Sequence, residues 1–145
     1  MKRTALLISI VVVSSLQANV LSAESPEDIL VIVNKAVTVG KISESELRDV
    51  FLKKKENWSN GVHATPLHSS SRSLKADFCK RLLKMDIGEE ERFWQANQIK
   101  TGKSKPPSFM NTLKAVYKLR GAVSYIYRSQ YKEGIVKIAY VLAAN

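Results

Sequence analysis

Residues 62–78, VHATPLHSSSRSLKADF, change periodicity in their middle. Val62 to Leu67 form a short apolar run that stops near Pro66, as a strand does. From Ser71 onward, Leu74, Phe78, Leu82 and Met85 recur every three or four residues, which lays one apolar stripe along a helix over 71–85. Between strand and helix stands a polar hinge of His68, Ser69, Ser70, Ser71, Arg72 and Ser73. Strands that hand over to helices in this way are the building units of α/β layers.

The same alternation extends in both directions. Upstream, DILVIVNKAV (28–37) is a Val- and Ile-rich run bounded by Pro26 and Gly40, which predicts a buried strand. Ser43 with Glu46 three residues later is a capping box, and it opens a helix over 42–54 that carries Leu47, Val50 and Phe51. NWSNG (57–61) is turn chemistry around a tryptophan. Downstream, GEEERFWQANQI (88–99) has acids in its first turn and predicts a third helix with Phe93 and Trp94 inside. TGKSKPPS (101–108) is a loop, and Pro107 suits the first turn of a fourth helix bearing Phe109, Leu113, Val116 and Tyr117 in its core. Gly121 ends that helix, and AVSYIY (122–127) and GIVKIAYVL (134–142) predict two closing strands. The fold class is therefore α/β: one domain, a mixed sheet flanked by helices. In such folds ligands collect where strands meet helix starts.

Several functions are excluded by compartment and composition. Residues 1–23 combine Lys2-Arg3, an apolar run from Ala5 to Val13 and small residues up to Ala23. That layout is a secretory signal peptide, with a cut after Ala23 preferred to one after Ala18, and it leaves residues 24–145 as one exported, periplasmic domain. The lone cysteine, Cys79, offers no disulfide within the chain and reads as a small buried apolar residue beside Phe78. The net charge of +10 stays at +8 without Lys2 and Arg3, but export argues against nucleic acid as its reason. Small anions, anionic headgroups or an acidic protein fit better, and the clusters Lys53–Lys55 and Lys100–Lys105 lie in loops where they could meet one. Strand alternation would send His63 and His68 to opposite faces, which opposes a metal site. His68 beside Ser69–Ser71 lacks the spacing of a nucleophile and its base, so neither an enzyme nor a cofactor is expected.

The polar hinge itself suits an oxyanion. The first amides of a helix have no intrahelical partner and carry partial positive charge. Hydroxyls from Ser69, Ser70, Ser71 and Ser73, amides near Arg72, Ser73 and Leu74, and the forked guanidinium of Arg72 would add to them. A single serine is nevertheless enough to cap a helix, so the cap and the anion site both remain open from composition.

Three landmarks then carry a resemblance. They are a Phe51-Leu52 helix end before a Trp58-x-x-Gly61 turn, a polar helix start leading to Phe78, and a strand running Gly121-Ala122-Val123-Ser124-Tyr125. Together they span most of the exported chain and resemble one lobe of the phosphate-binding proteins of ABC transporters, within the type II periplasmic-binding-protein superfamily. The resemblance implies a single periplasmic-binding-protein-like lobe with a phosphate-like ligand at this helix start. With Phe78 as anchor, His68 falls in the slot of a ligand-binding arginine, and Arg72-Ser73-Leu74 replace a Ser-Gly-Thr cluster. Ser124 stands where the family strand has a second glycine. The family also encloses its ligand between two lobes. A lone lobe leaves an anion half-solvated and holds it weakly unless the chain forms a homodimer or docks on a partner. Two functions thus follow: a binding module for phosphate or a similar oxyanion, or an accessory interaction domain with a vestigial pocket that works with a membrane transporter or sensor protein.

Overall fold

Five consecutive apolar residues, Ile29–Val33 (β1), lie inside the sheet, and all five are buried. A strand with no polar face needs cover on both sides. Ile29, Val31 and Val33 pack with Leu47, Val50 and Phe51 of α1 (Glu44–Phe51) and with Leu74 and Phe78 of α2 (Arg72–Phe78). Leu30 and Ile32 face the other way, against Val116 of α4 (Thr112–Lys118). The computed structural model describes residues 27–144, so the signal-peptide reading of residues 1–23 lies outside the described residues.

β1 pairs antiparallel with both β5 (Ala122–Tyr127) and β6 (Lys137–Leu142), and the short β2 (Thr65–Pro66) adds in parallel to β5. The order β2-β5-β1-β6 makes a mixed sheet, and helices cover it as the alternation of elements predicts. Asn34, just past β1, fastens the sheet to α4 by donating its amide to the carbonyls of Val116 and Tyr117 at 2.8 and 2.9 Å.

Three boundaries differ from the expectation. The strand over 62–67 shortens to β2, and Leu67 is the last residue whose amide is held by β5. Its carbonyl is taken by the Ser124 hydroxyl at 2.8 Å, and the chain then leaves the sheet as β3 (His68–Ser69) to pair in parallel with β4 (Ser108–Phe109). Residues 107–109 are therefore extended ribbon rather than a helix start, with the Pro107 carbonyl accepting from the His68 amide at 2.8 Å. α4 begins only at Thr112, capped by Asn111, and Tyr117, expected in the core, is 58% exposed because this seven-residue helix buries only Thr112 and Val116. The helix over 71–85 is α-helical to Phe78 and then widens into a π-helical turn, Cys79–Leu83, that stops at a left-handed Lys84.

The landmarks of the resemblance turn out to touch. The indole of Trp58 donates to the Gly121 carbonyl at 2.9 Å in the buried interior. At Gly121 the backbone turns with φ of +79° so near the 62–63 segment that an added Cβ would stand 2.0 Å from the His63 carbonyl oxygen. Only glycine fits there.

Candidate functional site

The hinge from β3 into α2 has two sides with different chemistry. On the outer side, Ser69, Ser70, Ser71 and Leu74 form one wall of an open groove of about 680 Å³. The β4–α4 connection supplies Asn111 and Thr112 to the same groove, and Gln130 and Lys132 lie along it beyond β5. Arg72 and Ser73 are exposed on the first turn of α2.

Part of the serine supply is consumed locally. Ser71 caps α2 by accepting from the Leu74 amide at 3.4 Å, Ser69 Oγ accepts from the Ser71 amide at 3.1 Å, and the Ser71 and Ser73 hydroxyls lie 3.3 Å apart. The Leu74 amide is thus already bound, and its side chain is buried. The amides of Arg72 and Ser73 take no intrachain acceptor among the described residues. The open donors are therefore these two amides, the Ser70 hydroxyl and the Arg72 guanidinium, joined by the Ser71 hydroxyl when Ser73 is the donor of their pair.

On the inner side, His68 is 1% exposed and points away from the groove, into a cage of Phe51, Phe78 and Tyr125. Its Nδ1 lies 2.9 Å from the Tyr125 hydroxyl, which in turn accepts the Ser69 amide at 3.2 Å. The phenolic proton accordingly points at Nδ1, which leaves the proton of the neutral imidazole on Nε2. Nε2 lies 3.3 Å from Glu90 Oε1, and Lys75 Nζ lies 3.0 Å from Glu90 Oε2. Glu90 is fully buried in α3 (Ile87–Thr101), near its first turn. Burial alone would raise its pKa, but His68 and Lys75 outweigh that and pull the carboxyl down to about 2. Burial holds the His68 imidazole below its ordinary value against the opposing pull of Glu90, so it stays neutral. Burial likewise pushes the Cys79 thiol up to about 12, which makes it an inert packing residue.

This fold has known counterparts among solved structures. An ABC-type phosphate transport receptor from Vibrio cholerae is 13% identical, with a TM-score of 0.59 over 79% of this chain and 46% of that one. A protein described as a phosphate ABC transporter substrate-binding protein, with bound phosphate, from Clostridium perfringens is 14% identical, with a TM-score of 0.59 over 79% and 44%. The chain has the fold of the phosphate-transport substrate-binding proteins. PstS from Borrelia burgdorferi extends the likeness, at 15% identity and a TM-score of 0.53 over 72% of this chain and 42% of that one. The chain therefore spans less than half the length of the phosphate-transport proteins it matches, and within it the fold is one lobe. No protein-family model and no curated protein matches the sequence. Among the described residues no helix is long and apolar enough to cross a membrane.

Of the residues singled out in the sequence, Ser70, Ser71 and Leu74 line the groove and Arg72 and Ser73 stand on the adjoining turn, whereas His68 is turned inward. Sequence reasoning missed Glu90, Lys75 and Tyr125. One signal was present: Glu90 lies four residues before Trp94, on the buried stripe of α3, where an acid needs a cation.

Proposed function

We propose that this chain is an exported, non-enzymatic binding domain for phosphate or a similar oxyanion, serving a transport or sensing system. The observation that carries this reading is the open groove bounded by the serine hinge, in a fold shared with proteins whose descriptions name phosphate. The anion would take the amides of Arg72 and Ser73, the hydroxyls of Ser70 and Ser71, and the Arg72 guanidinium. Leu74 contributes the apolar floor, and His68 acts through the hinge: it fixes Tyr125, which holds the Ser69 amide.

The test is thermal unfolding of anion-stripped protein with phosphate and sulfate titrated at constant ionic strength. A site filled at one hundred times its dissociation constant adds about 2.7 kcal/mol. A saturable shift with phosphate that is absent in Arg72→Ala supports the reading. Equal shifts with both anions that fade with salt would reduce the hinge to a helix cap.

A second reading, an accessory interaction domain with a vestigial pocket, is favoured by the openness of the groove among the described residues. Its partner would not be met at the basic loops. Lys55 pairs with Glu46, Lys103 with Glu56 and Lys105 with Glu91, while Lys53 donates to the Ser104 carbonyl, so the two loops largely satisfy each other and their neighbours.

A further inference from the structure

β6 is an edge strand of six residues, paired with β1 on one side and with nothing among the described residues on the other. A row of unpaired backbone donors and acceptors invites another strand. Two features of its surroundings define what that strand must look like. Ile138 and Val141, opposite Ile32 and Leu30 in the β1 register, are 41% and 42% exposed, so β6 keeps an apolar strip in solvent. Against the other flank runs a groove of about 380 Å³ between Tyr140–Ala143 and the cations Lys80, Arg81 and Lys84 at the end of the π-helical turn. Lys80 is exposed and meets no carboxylate at ion-pair distance among the described residues, whereas Arg81 donates to the carbonyls of Glu27 and Leu142 at 2.7 and 3.5 Å. The groove's acid, Glu44, is shared by Arg48 at 2.9 Å, Lys84 at 3.8 Å and the Tyr140 hydroxyl at 3.3 Å.

We propose that the outer edge of β6 receives an extended acidic peptide segment of a partner protein, which adds a fifth strand to the four-stranded sheet. Side chains on one face of a strand recur about every 6.6 Å. Lys80, on the π-helical turn, and Lys84, at its left-handed end, both line the groove beside β6. Carboxylates two residues apart would therefore each meet a lysine, while aliphatic residues between them cover Ile138 and Val141. The recognised pattern is alternating acid and aliphatic. A second copy of this chain is a poor occupant, because β6 against β6 would oppose two sets of Lys80, Arg81 and Lys84 on a chain of net charge +10.

The probe is a blocked eight-residue peptide alternating glutamate and valine, against a peptide of the same composition with its glutamates grouped at one end. Fluorescence anisotropy at physiological salt should show saturable binding of the alternating peptide, about tenfold or more tighter than its control. Hydrogen exchange at Ile138–Leu142 should slow about tenfold or more at saturation, which binding by charge alone would not cause. Lys80→Glu with Lys84→Glu should weaken binding about tenfold or more, and the milder Lys80→Gln with Lys84→Gln should weaken it in the same direction. No binding, equal binding of both peptides, unchanged affinity in the charge-reversed variant, or binding without protection of β6 would each overturn the proposal. So would protection, in the free protein, of the β6 amides that point away from β1, whether in a dimer by sedimentation, which makes a second copy the occupant, or in a monomer, which makes it another segment of this chain.

Discussion

His68 and Ser70 are two residues apart, yet one is sealed among aromatic rings and the other stands in water. Both are polar and both flank the same short strand. The inner side holds its polar groups together: the Ser69 amide and the His68 ring bond the Tyr125 hydroxyl, and His68 and Lys75 stand at ion-pair distance from Glu90 without hydrogen-bond geometry at its carboxylate. The outer side keeps part of its polarity open, in the amides of Arg72 and Ser73 and the Ser70 hydroxyl. A buried polar group costs free energy unless it is paired, whereas an exposed one can wait for a ligand at no such cost. The inner chain thus stabilises the hinge, and the outer side keeps its donors open to solvent.

The largest expected effect breaks the inner side. Glu90→Ala leaves Lys75 and His68 without their shared carboxylate, and breaking a buried pair in this way costs about 3–5 kcal/mol, readable as a lower denaturant midpoint. Tyr125→Phe removes the hydroxyl that joins the Ser69 amide to His68 Nδ1, and should cost about 1–3 kcal/mol by the same measurement. Ser71→Ala lies on the boundary, since Ser71 caps α2 as well as lining the groove, and should cost about 1 kcal/mol. Ser70→Ala sharpens the contrast most: stability should change by less than about 0.5 kcal/mol, while any phosphate-induced shift in Tm shrinks. A large stability loss at Ser70 and none at Glu90 would invert the assignment of the two sides.

Acid should also separate them. His68 has its folded pKa below the ordinary 6.5, so below that pH the unfolded chain takes a proton that the folded one refuses, and stability falls as pH drops. Glu90, held at about 2 against an ordinary 4.5, adds stability that is complete above 4.5 and lost as pH falls toward 2. Urea midpoints between about pH 7 and pH 5 should therefore decline, and His68→Gln should flatten that part of the curve while leaving the steeper loss at lower pH.

The capping residues and the buried strands were legible because their signals are local. Ser43 accepts from the Glu46 amide, and Ile29–Val33 are buried throughout, as their composition implies. The serine hinge was legible as a strand-to-helix handover. The inner chain was not, because Lys75, Glu90 and Tyr125 come from three separate elements: the spacing of Glu90 to Trp94 in GEEERFW marks the acid that turns inward, but nothing local says which groups meet it. Tyr117 misled for a related reason: helical spacing places it on an apolar stripe, but α4 is too short, and too far toward its end at Tyr117, to bury it.

Local sequence alone thus determined the long strands and the helices, the α/β class and the serine-rich approach to α2, but not the β3–β4 ribbon or the π-helical turn. Backbone propensity, capping and periodicity act over a few residues, and each can be read along the chain. Only the tertiary structure decided that His68 faces inward, that Glu90 is its partner, and that β6 lies, among the described residues, at the sheet's edge beside three cations. Those outcomes depend on which distant segments share a desolvated space, and the cost of burying a charge is set by that space rather than by the sequence around it.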